Sequence, residues 1–336
     1  MRKISYCKKQ RTGNRNFKEE KGMEKTERTE QLLHPRAVIG TNSWGSSAYE
    51  KAMRGSAVGM DGFRETMDEA KKDGIIIFDT ARDYGNGKCP KILGELATDE
   101  ICLSSKYTPF RRYRKGQVFE SVAKDLADFK RSYIDIYWLH MPNDIEENLK
   151  EIIELYRQGK IRHIGVSNFN LNECRETKRI LDAEGIPLYG VQNHYSILCR
   201  DWEKNGLVDW CHKNGVLFWA WSSLEGGLLA GPVKISGIMG IIGRGKAKKF
   251  APLYEVMEKI GKDHNLTISQ VAMSYCVTKQ IVPMCGCRRK KRVAELAEAV
   301  KTYLTEDEIR AIERVTEEHK MKNLGSDVFR FAVRKK

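Results

Sequence analysis

From Ala37 to Glu318 the chain alternates short, continuous apolar runs with longer amphipathic segments. The apolar runs are rich in β-branched residues, a pattern that predicts strands buried on both faces. They fall at Val38 to Thr41, Ile75 to Thr80, Ile101 to Tyr107, Asp135 to His140, His163 to Ser167, Leu188 to Gln192, Val216 to Ser222 and Ile281 to Gly286. Between them, apolar positions recur with helical spacing over Gly62 to Lys72, Pro90 to Thr98, Gln117 to Ser132, Ile145 to Gln158, Leu171 to Ala183, Asp201 to Lys213 and Ser269 to Thr278. A last pair of helices, Arg292 to Val300 and Glu306 to Glu318, closes the series. Strand–helix alternation of this kind builds a parallel sheet with crossover helices. Eight such units predict an α/β fold, a single-domain (β/α)8 TIM-type barrel. The rival is an open doubly wound sheet, but no GxGxxG follows the first strand.

Residues 1–35 lack this texture: they hold few large apolar residues and many charges, and are expected to be a disordered basic extension. The barrel is expected over 36–319, followed by a basic tail over 320–336. The net charge of +14 in 336 residues is concentrated in the two tails and in the runs 244–249 and 288–292. The rest of the chain is net acidic, which argues against a nucleic-acid-binding surface. No apolar run reaches the ~18 residues of a membrane span, and the N-terminus has no secretory h-region. Nine cysteines without a CxxC pair argue against a disulfide framework or a structural zinc site. A reducing, cytoplasmic location is expected.

Candidate chemistry lies where the strands end, the face on which barrels of this type carry their sites. The run Ile75–Phe78 stops on Asp79, and a carboxylate placed half inside an apolar core calls for a nearby cation. Tyr84 follows; its phenol, with an ordinary pKa of about 10, also needs a neighbouring positive charge to release a proton easily. Both requirements point to one lysine. Lys106 ends the third strand, His140 the fourth, Ser167-Asn168 the fifth, Gln192-Asn193 the sixth and Trp221-Ser222 the seventh. Amides are recognised by paired donors and acceptors, so Ser167, Asn168 and Gln192 suit a carboxamide, and Trp221 offers a flat ring face. After the eighth strand, Arg288 to Arg292 place five cations at a helix start that already carries partial positive charge, so an anion is expected there. Trp44, Tyr107, Phe110 and Met141 suggest an apolar pocket mouth.

Gly40-Thr41, Asp79-Thr80-Ala81 with Tyr84-Gly85, Leu139-His140, Gly165-Val166-Ser167-Asn168-Phe169, Gln192-Asn193 and Ala220-Trp221-Ser222 together resemble the aldo-keto reductase family. The resemblance spans about Val38 to Glu318. It implies a catalytic tetrad of Asp79, Tyr84, Lys106 and His140, and NADP(H) as cofactor in preference to NAD(H). The cofactor would be held by Thr41, Asn42, Ser167, Asn168, Gln192, Trp221, Ser222, Leu224 and Gly226, with a glycine-rich stretch to Gly245 and Lys246, Lys248 and Lys249 over the pyrophosphate. Gly286, Arg288, Arg292 and Glu295 match the family's 2′-phosphate site, with Leu296 where the usual residue is Asn. Trp44, Tyr107 and Met141 would border a small carbonyl substrate. Tyr84 would give the proton, Lys106 would lower its pKa, Asp79 would neutralise the lysine and His140 would hold the carbonyl oxygen. Departures from the family pattern are Cys89-Pro90, Ser223 and Cys285; Cys285 and Cys287 bring thiols close to the expected cofactor site, and their redox role is left open. The alternative reading is a non-catalytic nucleotide-binding regulatory subunit of the same fold, which resembles this chain but carries Asn in place of His140. No membrane or nucleic-acid partner is expected, and the oligomeric state and the substrate are left open.

Overall fold

A computed structural model describes residues 27–45, 56–232 and 249–322. Expectations for residues 1–26, for Gly245, Lys246 and Lys248, and for 323–336 lie outside the described residues. Eight parallel strands close into a barrel in chain order. They are β1 (Val38–Gly40), β2 (Ile77–Asp79), β3 (Cys102–Tyr107), β4 (Ile134–Leu139), β5 (Ile161–Ser167), β6 (Leu188–His194), β7 (Leu217–Trp221) and β8 (Val282–Cys285). β1 pairs with both β2 and β8, so no edge is left open. The predicted barrel is the observed one.

Two layers of apolar side chains hold it. Outside, amphipathic helices bury one face against the strands; Leu171–Ala183, for example, buries Cys174, Thr177 and Leu181. Its start is fixed by a capping box in which Asn170 accepts from the backbone of Glu173 while the Glu173 side chain returns the contact. Inside the barrel, Trp138, Tyr189 and Trp219 fill the cross-section, with Trp138 and Trp219 ring centroids 4.9 Å apart. Gly165 makes room for them: a Cβ there would stand 2.4 Å from Trp138 Cε3. This aromatic layer is the floor of the site above it, and Trp138 Nε1 donates to Ser104 Oγ at 2.7 Å.

The helix expected over Asp201 to Lys213 is two helices, Asp201–Lys204 and Leu207–Lys213. Gly206 separates them at φ +83, a left-handed conformation that an α-helix cannot continue through. A helix over Ala251–His264, not among the predicted elements, buries Leu253, Tyr254, Met257 and Ile260.

The disordered reading of 27–35 is corrected. Glu27–Leu33 is helical, Leu32 is buried, and Arg28 pairs with the buried Asp135 at 2.5 Å. Tyr189 also donates its hydroxyl to the Leu32 carbonyl at 2.8 Å. The segment gains order from barrel residues more than a hundred positions away, a signal that local composition does not carry. Among the described residues, no helix is long and apolar enough to cross a membrane.

Candidate active site

Strand register brings the expected tetrad together. Asp79 of β2 pairs with Ser104 of β3, and Lys106, two residues further along, points to the same interior face. Lys106 Nζ donates to Asp79 Oδ1 and to the Thr80 carbonyl, the latter at 2.7 Å. Ser104 Oγ donates to Asp79 Oδ2 at 2.6 Å, and Gln192 Nε2 to the same oxygen at 3.2 Å. Asp79 and Lys106 are both 0% exposed, so their charges are balanced by each other and by these polar contacts.

Above this pair stand two rings. Lys106 Nζ lies 4.9 Å from the centroid of Tyr84, and Tyr84 meets His140 edge-on at 6.3 Å between centroids. Thr108 Oγ1 is 2.8 Å from His140 Nδ1, and Asn168 Nδ2 donates to the His140 carbonyl at 3.0 Å. Burial and the Lys106 ammonium hold the His140 imidazole well below its ordinary pKa, so it is neutral around pH 7.

One electrostatic expectation is overturned. Burial, then the Asp79 carboxylate, push the Tyr84 phenol well above its ordinary pKa; Lys106 does not bring it down. Burial outweighs even that carboxylate in the lysine and lowers its pKa. Tyr84 is therefore a firmly protonated phenol at rest.

The loop that carries Tyr84 is pinned by residues the sequence did not single out. Arg82 donates to Asp125 Oδ1 at 3.0 Å and also pairs with Asp128, both on the helix Gln117–Phe129. Ser105 Oγ holds the other Asp125 oxygen at 2.8 Å. Burial pushes Asp125 up to about 7 despite Ser105 and Arg82. On the other side, Gly85 at φ +59 lies against Gly45 so closely that a Cβ on Gly45 would be 2.2 Å from Gly85 Cα.

The residues expected at the cofactor site fall into two groups at the barrel mouth. In the first, Ser167 Oγ donates to the Gln192 carbonyl at 2.7 Å, Asn168 Nδ2 to Ser167 Oγ at 3.2 Å, and Trp221 Nε1 to Asn168 Oδ1 at 3.1 Å. Asn168 and Ser222 adopt left-handed backbone conformations, φ +64 and +58. Behind Trp221 lies His194, stacked at 4.5 Å and 17°. His194 Nε2 is 2.8 Å from Glu225 Oε1, and Ser196 Oγ donates to the same carboxylate oxygen. Glu225, at φ +50, turns its side chain inward and leaves Leu224 half-buried and Gly226 exposed. β6 runs on to His194, two residues beyond its predicted end, and the partner Glu225 is thirty-one positions away. Only the polar ending Gln192-Asn193-His194 hinted at this pair.

In the second group, Gly286 is exposed, Arg288 Nη1 donates to the Ser56 carbonyl at 3.0 Å, and Arg292 pairs with Glu295 at 2.6 Å. Asn42 is exposed at the same end of the barrel, whereas the Thr41 hydroxyl is buried on the Asp79 carbonyl at 3.0 Å. Ser43 Oγ is buried without a partner among the described residues, and a Cβ on Gly286 would stand 3.9 Å from it. Leu296 is fully buried and faces the core.

Two expected pocket walls and two expected thiols are buried. Trp44 is buried, stacked on Phe63 at 4.5 Å and 9°, with Nε1 donating to the Cys287 carbonyl at 2.9 Å. It is a packing residue between β1 and the helix Met60–Lys72, because its single polar atom finds a partner there. Met141 is likewise buried; Tyr107 is half-buried and Phe110 is 61% exposed. Cys285 and Cys287 are buried, and burial pushes the first up to about 12 and the second well above its ordinary value. Neither is a thiolate at neutral pH, and Cys285 Sγ packs on Met273 Sδ at 3.3 Å.

Comparison with known proteins agrees with this picture. The model of the aldo/keto reductase family matches residues 37–317. A chloroplastic pyridoxal reductase of Arabidopsis thaliana is 25% identical over 307 residues, covering 83% of this chain and 82% of its own. An aldo-keto reductase of Bacillus subtilis is 29% identical over 209 residues, 58% of each chain. Among solved structures, a thermostable aldo-keto reductase bound to the inhibitor epalrestat superimposes with a TM-score of 0.68 at 27% identity, over 84% of this chain and 95% of that one. A Klebsiella pneumoniae aldo-keto reductase in complex with NADPH shares the fold, with a TM-score of 0.68 at 19% identity over 83% of this chain and 90% of that one. With a family match over most of its length and a closed barrel carrying the matching motifs, the chain belongs to the aldo/keto reductase family.

Proposed function

We propose that the protein reduces an aldehyde or ketone with NADPH, with Tyr84 as the general acid. The observation that carries this reading is the buried Asp79–Lys106 pair beneath Tyr84, with the neutral His140 ring edge-on to the phenol. A nicotinamide cofactor, when bound, supplies the hydride that no side chain can donate. The chain's residues do the rest. His140 sits beside the Thr108 hydroxyl, and in the tautomer with Nδ1 accepting, Nε2 carries the proton that a carbonyl oxygen would accept. That hydrogen bond would orient the carbonyl and stabilise charge growing on its oxygen.

Tyr84 then passes its proton to that oxygen, giving the alcohol and leaving a tyrosinate that takes a proton back from water. The raised pKa of the resting phenol suits this role: it keeps the proton until an alkoxide, a much stronger base, is generated next to it. Lys106, 4.9 Å from the ring, is placed to stabilise the tyrosinate once it forms. Asp79 keeps the lysine in place.

The residues present fit the cofactor. Ser167, Asn168 and Gln192 make a hydrogen-bonded amide-and-hydroxyl set beside the Trp221 ring, the chemistry a nicotinamide carboxamide requires. Gly226 and Gly286 are open to close backbone approach, Ser43 Oγ beside Gly286 is a buried hydroxyl with no partner among the described residues, and Arg288 and Arg292 stand at the start of the helix Lys290–Ala299. This arrangement supports NADP(H) over NAD(H). The direct test is to offer the full-length protein a panel of aldehydes and ketones and follow NADPH absorbance. Turnover of at least one carbonyl supports the reading, and a protein that binds NADPH yet reduces none supports the regulatory alternative.

A further inference from the structure

The loop after β3 carries charge and apolar surface that the cofactor does not explain. Its sequence is Phe110-Arg111-Arg112-Tyr113-Arg114-Lys115, two aromatics and four cations in six residues. Both ends are anchored. At the start, Thr108 Oγ1 bonds His140, and Asn143 Nδ2 donates to the Pro109 carbonyl at 3.0 Å. At the far end, the Tyr113 amide donates to Asp144 Oδ2 at 2.8 Å and the Tyr113 hydroxyl to Glu151 Oε1 at 2.7 Å. The neighbouring acids are thereby engaged on Tyr113, and Glu151 also takes the Val118 amide at 2.9 Å. Between the anchors Phe110 is 61% exposed, Arg111 and Arg112 are exposed, and neither arginine makes an ion pair among the described residues.

Position decides what these groups can meet. Apart from Thr41 and Asn42 after β1, the expected cofactor residues follow β5 to β8. β3 is separated from β7 by β4, β5 and β6 one way round the barrel and by β2, β1 and β8 the other, so this loop lies across the mouth from the elements after β7, and β2 and β1 part it from the Arg288–Arg292 run after β8. It is also close to the reacting carbonyl: Arg112 is four residues from Thr108, an extended reach of at most about 14 Å. We propose that Phe110, Arg111 and Arg112 form a specificity site for the distal end of an extended aromatic carbonyl substrate that bears an anionic group such as a carboxylate. The inference rests on the reductase reading above. Phe110 stacks on or packs against the aromatic body, and the two guanidinium groups meet the anion.

The test uses the full chain, NADPH and two pairs of aldehydes: para-formylbenzoate and a formylbiphenyl carboxylate, each against its methyl ester. The proposal expects kcat/KM for the biphenyl acid to exceed that of its ester by about tenfold, the scale of two exposed ion pairs, and the advantage to fade with added salt. The one-ring acid gains less, because its carboxylate falls short of the loop. In the Arg111→Gln/Arg112→Gln variant, checked for an unchanged thermal transition, the acid-to-ester ratio falls to near one. Equal kcat/KM for acid and ester in the wild type, or a preference that survives the double substitution, overturns the proposal while leaving the reductase reading intact. Failure to reduce any of the four with NADPH, while other carbonyls are reduced, overturns this inference alone. Failure on every carbonyl tried overturns both.

Discussion

The Lys106 ammonium lies 4.9 Å from the centroid of the Tyr84 ring while it donates to Asp79 and to the Thr80 carbonyl. One buried cation thus serves two neighbours, holding the carboxylate inside the barrel and facing the ring that must lose a proton. Removing it should be felt in both stability and rate. Lys106→Met leaves Asp79 buried and uncompensated, a loss on the order of 3–5 kcal/mol. The double variant Asp79→Asn/Lys106→Met should recover part of that stability, because no lone charge remains, and should recover none of the turnover. Denaturant midpoints and kcat, measured side by side, separate the two effects.

Cofactor choice should reside in Arg288 and Arg292. Replacing both with Gln is expected to weaken NADPH binding by roughly 3 kcal/mol, the scale of two charge-assisted contacts, and to leave NADH nearly unchanged. Trp221, half-buried at the mouth, is a natural fluorescence reporter for both titrations. Equal, small changes for the two cofactors would mean that the run 288–292 is only a solvated basic face.

The N-terminal segment divides at a definite point. A chain beginning at Glu24 retains the helix Glu27–Leu33 and should melt and turn over like the full chain. A chain beginning at Arg36 exposes apolar surface that Leu32 covers and strips Asp135 of its Arg28 partner. It should lose on the order of 3 kcal/mol, read as a lower thermal midpoint, with the active site otherwise unchanged.

His194 gives a pH signature. Burial alone would lower its pKa, but the nearby Cys199 thiol and the hydrogen-bonded Glu225 carboxylate outweigh burial and hold it at about 9, against an ordinary 6.5. A histidine whose folded pKa is raised contributes stability that is fully present below about 6.5 and is lost as pH rises through about 9. The wild type should therefore be more stable than His194→Gln at neutral pH, and the gap should close above about 9. Because His194 stacks on Trp221, Glu225→Ala should also loosen that ring and weaken NADPH binding. A pH-independent stability gap would contradict the ion pair.

Most of the barrel was legible in sequence because its strands are buried on both faces and therefore read as unbroken apolar runs, as at Ile134–Leu139. Polar endings on those runs then pointed to Asp79, Lys106 and His140. What remained hidden depends on long-range pairing. The helix Glu27–Leu33 is ordered by Asp135 and Tyr189, and the Arg82 clamp by Asp125 and Asp128. Trp44 was misread as a pocket wall because nothing in its neighbourhood along the chain announces Phe63 or the Cys287 carbonyl. The raised Tyr84 pKa was hidden for a related reason: the sequence shows that a lysine is near, not that burial and the Asp79 carboxylate outweigh it at the phenol.

The central claim is that the Tyr84 hydroxyl delivers the proton. Tyr84→Phe removes that one oxygen from a ring packed against the core and leaves the surrounding hydrogen bonds in place. With a carbonyl that the wild type reduces, single-turnover and steady-state rates in NADPH should fall by a factor of order 100 or more, while NADPH affinity stays within a few fold. Near-normal turnover in Tyr84→Phe, with NADPH bound as in the wild type, would contradict the account.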